Sequence, residues 1–525
     1  MPQAASALRL RPEAKPAFTL AGDRAVILIG AFLIAAALTP TLLVRIPSMV
    51  DYLNQIARMD ILARAGGPDA SPFYDVAWKF YPNLAIDVLV PPIARLIGPV
   101  EALRLFLLLS QILIISGAAA LELAVKGRIR LSPFVSCLFL YSLPFTLGFL
   151  NFEFGLGLAL WALAAMLAVK DRSPLVRFGL HSAFCAALFV SHLFAFGVYG
   201  AALGLYELSQ FRNWRQDGAR VFLRLAMLAP PAIALFAIVF VSVGTIGGQG
   251  NLWLFSTKAL VFFNSLNAYS YEISGLLVAL LIAGTVMLAM KGALMLSRPG
   301  VFIAVGFAAL FLLLPSRLFG TSFADVRVLP GAALILPAFL HLRLPNREWR
   351  VGAAAAVSLA ALANIAFVYG VWQGAAPDYR EFMASTQKLS PGARVITAHS
   401  EEGRDPPADL ADYPFYHLAT LVVPFADGFT PTVFTEPGKQ PIRPKECVRS
   451  LDVGVGGPVP AARLLAAAEG RVDERAPAFL RDWPEKFDYL YVVGPAKPNP
   501  LPSRLDEIMR GRKFVLYRIR KAEGL

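Results

Sequence analysis

Long apolar runs separated by short basic loops dominate the first 370 or so residues of this chain. Residues 25–44 form the first run and residues 100–125 the second. A helix needs about 20 apolar residues to cross a hydrocarbon core of about 30 Å, so both read as membrane spans. Between them, residues 84–97 are apolar but short, carry Asp87 and Arg95, and contain Pro91-Pro92. That stretch is predicted to lie beside the membrane rather than cross it. Residues 134–169 are too long for one comfortable span and are flanked by KGRIR (126–130) and KDRSPLVR (170–177). Basic loops favour the cytoplasmic side. The run should therefore cross twice, with its turn at Asn151-Phe152-Glu153 on the outer face. Residues 178–208 also lie between basic loops and should cross twice, with a break near Ser191-His192. Arms that short are tolerated where backbone is buried in protein or lines a cavity.

The later runs are simpler. Spans are expected at 221–244, 274–290, 301–315, 328–342 and 351–372. Outer loops fall at 245–272, with Trp253, Lys258, Asn264 and Asn267, and at 316–327, SRLFGTSFADVR. The expectation is an α-helical polytopic membrane protein of about eleven transmembrane helices. Residues 1–24 would be cytoplasmic, 25–374 the transmembrane domain, and 45–99 its first outer loop with juxtamembrane helices. From residue 375, Pro, Asp, Glu and Lys become frequent and alternating apolar stretches appear at 393–399, 487–494 and 514–520. With helices expected at 461–468 and 505–509, residues 375–525 read as an extracytoplasmic α/β domain.

Composition agrees with the pattern. Of 525 residues, 57% are hydrophobic and only 16% charged, and the mean hydropathy is +0.58. So few charges cannot cover a soluble protein of this size. The net charge of +13 sits mostly in loops between spans, which the inside-positive bias explains without nucleic acid. Cys137, Cys185 and Cys447 have no metal or disulfide spacing. There is no Walker loop, no H-E-x-x-H and no G-x-S-x-G. No duplicated half with matching broken helices argues for a secondary transporter.

Candidate chemistry gathers at PSMVDYLNQIARMDILAR (47–64), just past the first span. As a helix it puts Asp51 and Arg58 about two turns apart on one face, with Asn54 and Gln55 beside them. The plainer alternative is an interfacial helix whose charges face water. Topology brings further polar groups to the same side: Glu153 and His192 from the two turns, and Arg317, Asp325 and Arg327 from the late outer loop. Ionisable groups at membrane depth usually face a cavity or a partner. Each has a plain structural alternative: a snorkelling carboxylate, a core histidine, a surface ion pair.

One span followed by a long outer loop opening on Asp51 resembles the membrane glycosyltransferases of the GT-C superfamily. These include the protein-mannosyltransferase and aminoarabinose-transferase types. DYLNQIARMDILA (51–63), FYPNLAIDVLVPPI (80–93), FLNFEFGLGLAL (149–160) and FADVRVLPGAAL (323–334) look like an uncharacterised bacterial subgroup of that superfamily. The resemblance implies transfer of a sugar from a polyprenyl-phosphate donor to a glycan, lipid or protein acceptor of the cell envelope. The reaction would occur at the outer face of a bacterial inner membrane. It implies that Asp51 is the catalytic base or helps to bind donor or metal. Gln55 stands where many relatives have a histidine, and Val50 where some have a second acid. No metal-ligating set follows from the residues, although a divalent metal remains open. A lipid phosphate is already a good leaving group, so the chemistry needs cations. Arg58, Arg317 or Arg327 could supply them, while Asp51 takes a proton from an acceptor hydroxyl in an inverting displacement. Asn54, Glu153, His192 and Asp325 complete the candidates for substrate binding. The alternative is a non-catalytic scaffold or a transporter of lipid-linked glycans.

Overall fold

The computed structural model describes residues 24–521, apart from 213, 244–249, 268, 319–320, 401–409, 455–456, 473–475, 477 and 495–497. The expected cytoplasmic segment before residue 24 lies outside the described residues. Helix α1 (Arg24–Leu43) leads through a turn to α2 (Tyr52–Arg64). Every side chain from Tyr52 to Ala63 is buried, which removes the interfacial reading of this segment. Helix α3 (Ala85–Ile97) holds Pro91 and Pro92 within it and packs on α2 and α4 (Pro99–Lys126).

The turn expected at Asn151–Glu153 lies earlier. Residues 132–149 form two short helices, α5 (Ser132–Phe139) and α6 (Leu143–Thr146), and α7 runs over Leu150–Ala168. The physical reason is Gly148, which ends α6 with a φ of +84°, a conformation that favours glycine. Asn151 and Glu153 instead occupy the first turn of α7. Helices α4 and α7 make the most extensive helix–helix contact, at Gly117 and Gly157. A Cβ on Gly157 would meet Leu113 Cβ at 2.6 Å, so small residues let the two backbones close together. Helices α8 (Pro174–Ser191) and α9 (Leu193–Ser209) are separated by His192 in an extended conformation.

Helices α10 (Trp214–Ala226) and α11 (Ala229–Val243) follow, then α12 (Lys258–Phe263), α13 (Tyr271–Met290), α14 (Arg298–Leu313) and α15 (Val328–Ile335). Among the described residues, seven helices are long and apolar enough to cross a membrane, and three shorter apolar ones lie at Leu193–Ser209, Arg298–Leu313 and Val328–Phe339. The protein is a multi-pass membrane protein.

The last helix, α16 (Arg347–Thr386), runs 40 residues without stopping at the expected boundary of residue 374. It leads into a five-stranded mixed sheet in the order Leu505–Arg510, Phe514–Ile519, Tyr489–Val493, Val395–His399, Val459–Pro460. The two central strands are buried along their whole length, as strands covered on both faces are. Residues 505–510 are a strand, not the helix expected from their composition. Pairing of Leu505 with Ile519 and of Arg510 with Val515 overrides local propensity.

The C-terminal segment sits on the first loop. Asn54 Nδ2 donates to Thr432 O at 2.7 Å, and Phe434 N donates to Asn54 Oδ1 at 2.9 Å. Tyr74–Val76 pairs antiparallel with Ile442–Pro444. The short helical turns over Tyr413–Ala426 cover α2.

Candidate active site at the first loop

Asp51 precedes α2 and is fixed by its backbone. Its N–H donates to Leu147 O at 3.1 Å, and Val50 N–H donates to Thr146 O at 3.2 Å. Gln55 Nε2 donates to Gly148 O at 2.7 Å. A Cβ on Gly148 would lie 2.9 Å from Asp51 N, so glycine is required there by space as well as by φ. The α6–α7 break therefore acts as the seat of Asp51. The Asp51 side chain does not cap α2, which leaves its carboxylate available. Burial pushes its pKa up to about 7, against the opposing charges of Arg327 and then Arg58.

Arg327 is the cation at the centre of the candidate residues. Asp51, Glu153 and His192 all lie within its electrostatic reach. Its Nη1 donates to the carbonyls of Ser322 and Phe323, each at 2.9 Å. Its guanidinium lies over the rings of Phe149 at 4.2 Å and Phe194 at 4.8 Å. Those rings come from the first turns of α7 and α9, the two short-arm breaks. Arg327 Nε, Glu153 Oε1 and Gln55 Oε1 are buried without a hydrogen-bond partner. Buried polar atoms are nearly always satisfied, so the orphaned Arg327 Nε and Glu153 Oε1, which lie in each other's field, mark a place for a polar occupant. His192 accepts from Phe194 N through Nδ1 at 3.1 Å and sits edge-on to Phe152.

Other candidates are engaged elsewhere. Arg58 is not paired with Asp51 but with Asp87, at 2.7 Å, both almost fully buried. The seven-residue spacing put Arg58 on the right face, but α3 supplies a nearer carboxylate. Asn54 is held by the C-terminal segment, as above. Asp325 binds Lys258 Nζ at 2.6 Å, and Lys258 also donates to Phe311 O and Leu314 O. Arg317 lies in a two-residue strand paired with Thr321–Ser322, its backbone bridged to Leu252. Sequence reasoning placed Lys258 in an outer loop but missed its pairing with Asp325, which pins the loop that carries Arg327. The two are 67 residues apart, beyond any local signal. It also missed the aromatic shelf of Phe149 and Phe194.

Among the described residues no group of three or more His, Cys, Asp and Glu side chains is placed to share a metal ion. Asp51 and Glu153 both feel the charge of Arg327.

The fold is that of the GT-C membrane glycosyltransferases. A crystal structure of ArnT from Cupriavidus metallidurans bound to undecaprenyl phosphate matches with a TM-score of 0.52 at 12% identity, covering 94% of this chain and 97% of ArnT. Arabinofuranosyltransferase AftD from Mycobacteria, solved by cryo-electron microscopy as the mutant R1389S, matches with a TM-score of 0.47 at 16% identity, covering 95% of this chain and 42% of AftD. No family model and no curated protein sequence matches the chain.

Proposed function

We propose that this protein is a glycosyltransferase of the bacterial inner membrane. It takes a sugar from a polyprenyl-phosphate donor and passes it to an envelope glycan, lipid or protein on the outer face. The observation that carries this reading is Arg327: a buried guanidinium with an unpaired Nε, flanked by Asp51 and by the unpaired Glu153. Support from the fold comes from ArnT, whose structure holds undecaprenyl phosphate.

Arg327 receives the donor phosphate and stabilises the charge that grows on it as the glycosidic C–O bond breaks. Its guanidinium stays protonated throughout, so it acts by charge and geometry, not by proton transfer. Asp51 takes the proton from the acceptor hydroxyl as that oxygen attacks the anomeric carbon from the opposite side, inverting it. A carboxylate raised to about 7 is a better base near neutral pH than an ordinary one. Arg58, engaged by Asp87, contributes field at longer range. Glu153 and His192 stand on the sugar side of Arg327, with His192 neutral and its Nδ1 occupied as acceptor. Asn54 and the Lys258–Asp325 pair hold the walls.

The test is transfer by the purified full chain from a panel of polyprenyl-phosphate sugars, with envelope lipids from cells with and without the gene compared by mass spectrometry. Turnover lost in Asp51→Asn with folding retained supports the reading. Normal turnover in Asp51→Asn, or identical envelope glycans in the two strains, would refute it.

A further inference from the structure

Four helices that end at the Asp51–Arg327 region have their other ends together. Helix α4 starts beside α3 and is 28 residues long, about 42 Å. Helix α9 starts at His192, α14 ends where Lys258 binds its last carbonyls, and α15 starts after Arg327. The far ends of α4, α9 and α14, with the turn Leu336–Phe339 that follows α15, line a cavity of about 460 Å³. Its lining includes Lys126, Arg128, Arg212, Arg298 and His341, and no carboxylate.

Two neighbouring acids are already neutralised. Glu122 accepts from Lys126 Nζ at 3.0 Å, from the backbone of Arg130 and Ser132, and from Ser132 Oγ. Glu207 is bound by Arg177 and Arg224. Lys126 is engaged by Glu122 and by the carbonyls of Pro337 and Leu340. Among the described residues, Arg298 donates to the carbonyls of Ser209 and Phe211. No salt bridge among the described residues joins the side chains of Arg128, Arg212 and Arg298 to a carboxylate, although Arg212 N–H donates to Asp217 Oδ2 at 3.1 Å. Helix α14 also turns its N-terminus to the cavity: Ser297 caps it through Gly300 N, and Pro299 is in its first turn. That end of a 16-residue helix carries the positive pole of its dipole. Outside the helices, burial and then the like charges of Arg128 and Arg350 hold the Arg130 guanidinium below its ordinary value. The lining of the cavity thus carries positive charge and no acid of its own.

We propose that this cavity is a headgroup site for an anionic phospholipid of the leaflet opposite Asp51, its phosphate held by Arg128, Arg212, Arg298 and the N-terminus of α14. Basic pockets between membrane helices bind such headgroups through charge-assisted hydrogen bonds. A volume of about 460 Å³ falls in the range of small-molecule sites. The site is independent of the sugar-transfer reading, and its occupancy would tie the ends of α4, α9, α14 and α15 together.

The test is native mass spectrometry of the full chain released from detergent with phosphatidylglycerol or with phosphatidylcholine of the same acyl chains. The wild type should retain phosphatidylglycerol in preference. Each Arg near an anionic lipid is worth about 1 kcal/mol, which is about fivefold. Arg128→Gln should therefore lose about fivefold in retention, and Arg128→Gln/Arg298→Gln about thirtyfold. Lys170→Gln/Arg172→Gln removes two charges from the same face outside the cavity and should lose less than twofold. Arg298 also holds two carbonyls, so Arg128→Gln, an exposed side chain, keeps the test valid if the double variant folds poorly. Unchanged retention in Arg128→Gln would overturn the proposal. So would equal loss in the Lys170/Arg172 control, or equal retention of the two lipids. Displacement of phosphatidylglycerol by millimolar inorganic phosphate would assign the site to free phosphate and overturn the lipid assignment.

Discussion

A buried carboxylate poised as a base should cost the protein stability, and Asp51→Asn measures that cost directly. Burial lifts Asp51 from 3.8 to about 7. Between these values the folded chain holds a proton that the unfolded chain has lost. Stability contributed by that proton is full below pH 3.8, declines as pH rises, and is gone above about 7. The displacement alone corresponds to about 4 kcal/mol at about 1.4 kcal/mol per pH unit. Asp51 keeps some exposure, and solvent screening reduces the figure to about 1–2 kcal/mol. Asparagine does not titrate. The variant should therefore match the wild type near pH 4 and exceed it by about 1–2 kcal/mol at pH 8, while losing transfer. The assay is thermal unfolding of both proteins in the same detergent at several pH values, with a shift of about 1–2 °C expected at pH 8 for a chain of this length. A wild type more stable than Asp51→Asn at pH 8, or a difference that does not change with pH, would refute the reasoning.

Arg327→Gln should lower transfer by about 10²–10³-fold, as loss of one strong charge stabiliser does, and Arg327→Lys should recover only part of it because the fork is gone; donor-titrated kinetics check both. Arg58→Met leaves Asp87 buried and unpaired and should destabilise by about 3–5 kcal/mol, whereas Arg58→Met/Asp87→Leu should restore most of it, as followed by unfolding in detergent. Gly148→Ala forces a Cβ toward Asp51 N and a left-handed alanine, costing about 1–3 kcal/mol; steady-state kinetics should show kcat falling more than donor KM rises, since the base is displaced and the phosphate site is not. Cysteines placed singly in 126–130 and 170–177 should both label from the cytoplasm, and one at Trp253 from outside; opposite labelling of the two basic loops would overturn the orientation.

The membrane helices were legible because length and apolarity are local properties of the chain. Helix α13 and the break at His192 follow from such runs and from the charges that flank them. The grouping of Asp51, Glu153, His192 and Arg327 was legible for a different reason: alternation of basic loops assigns all four to one face. What was hidden depends on distant partners. Arg58 turned to Asp87 because α3 packs on α2, and spacing within α2 carries no trace of that. The turn near Asn151 was placed on polar residues, yet Gly148 makes it, because its seat is the backbone of Asp51. Residues 505–510 suit a helix until Phe514–Ile519 offers an edge to pair with. The burial of α2 beneath Tyr413–Ala426 joins segments more than 350 residues apart.

Helix α16 gives the C-terminal sheet an angular index. At 40 residues it is about 60 Å long, roughly twice the hydrocarbon thickness, so it emerges still helical and delivers the sheet at a set phase. One residue inserted after Trp372 would advance everything beyond it by about 1.5 Å and rotate it by about 100°. Thr432 and Phe434 would then swing away from Asn54, and the cover over α2 would lift. Seven or eleven inserted residues would nearly restore the phase but still displace the sheet by about 10 Å or more along the axis, so the clamp fixes the length of this helix as well as its phase. The rod thus behaves as a keyed shaft, transmitting its phase from the membrane to the cover over α2.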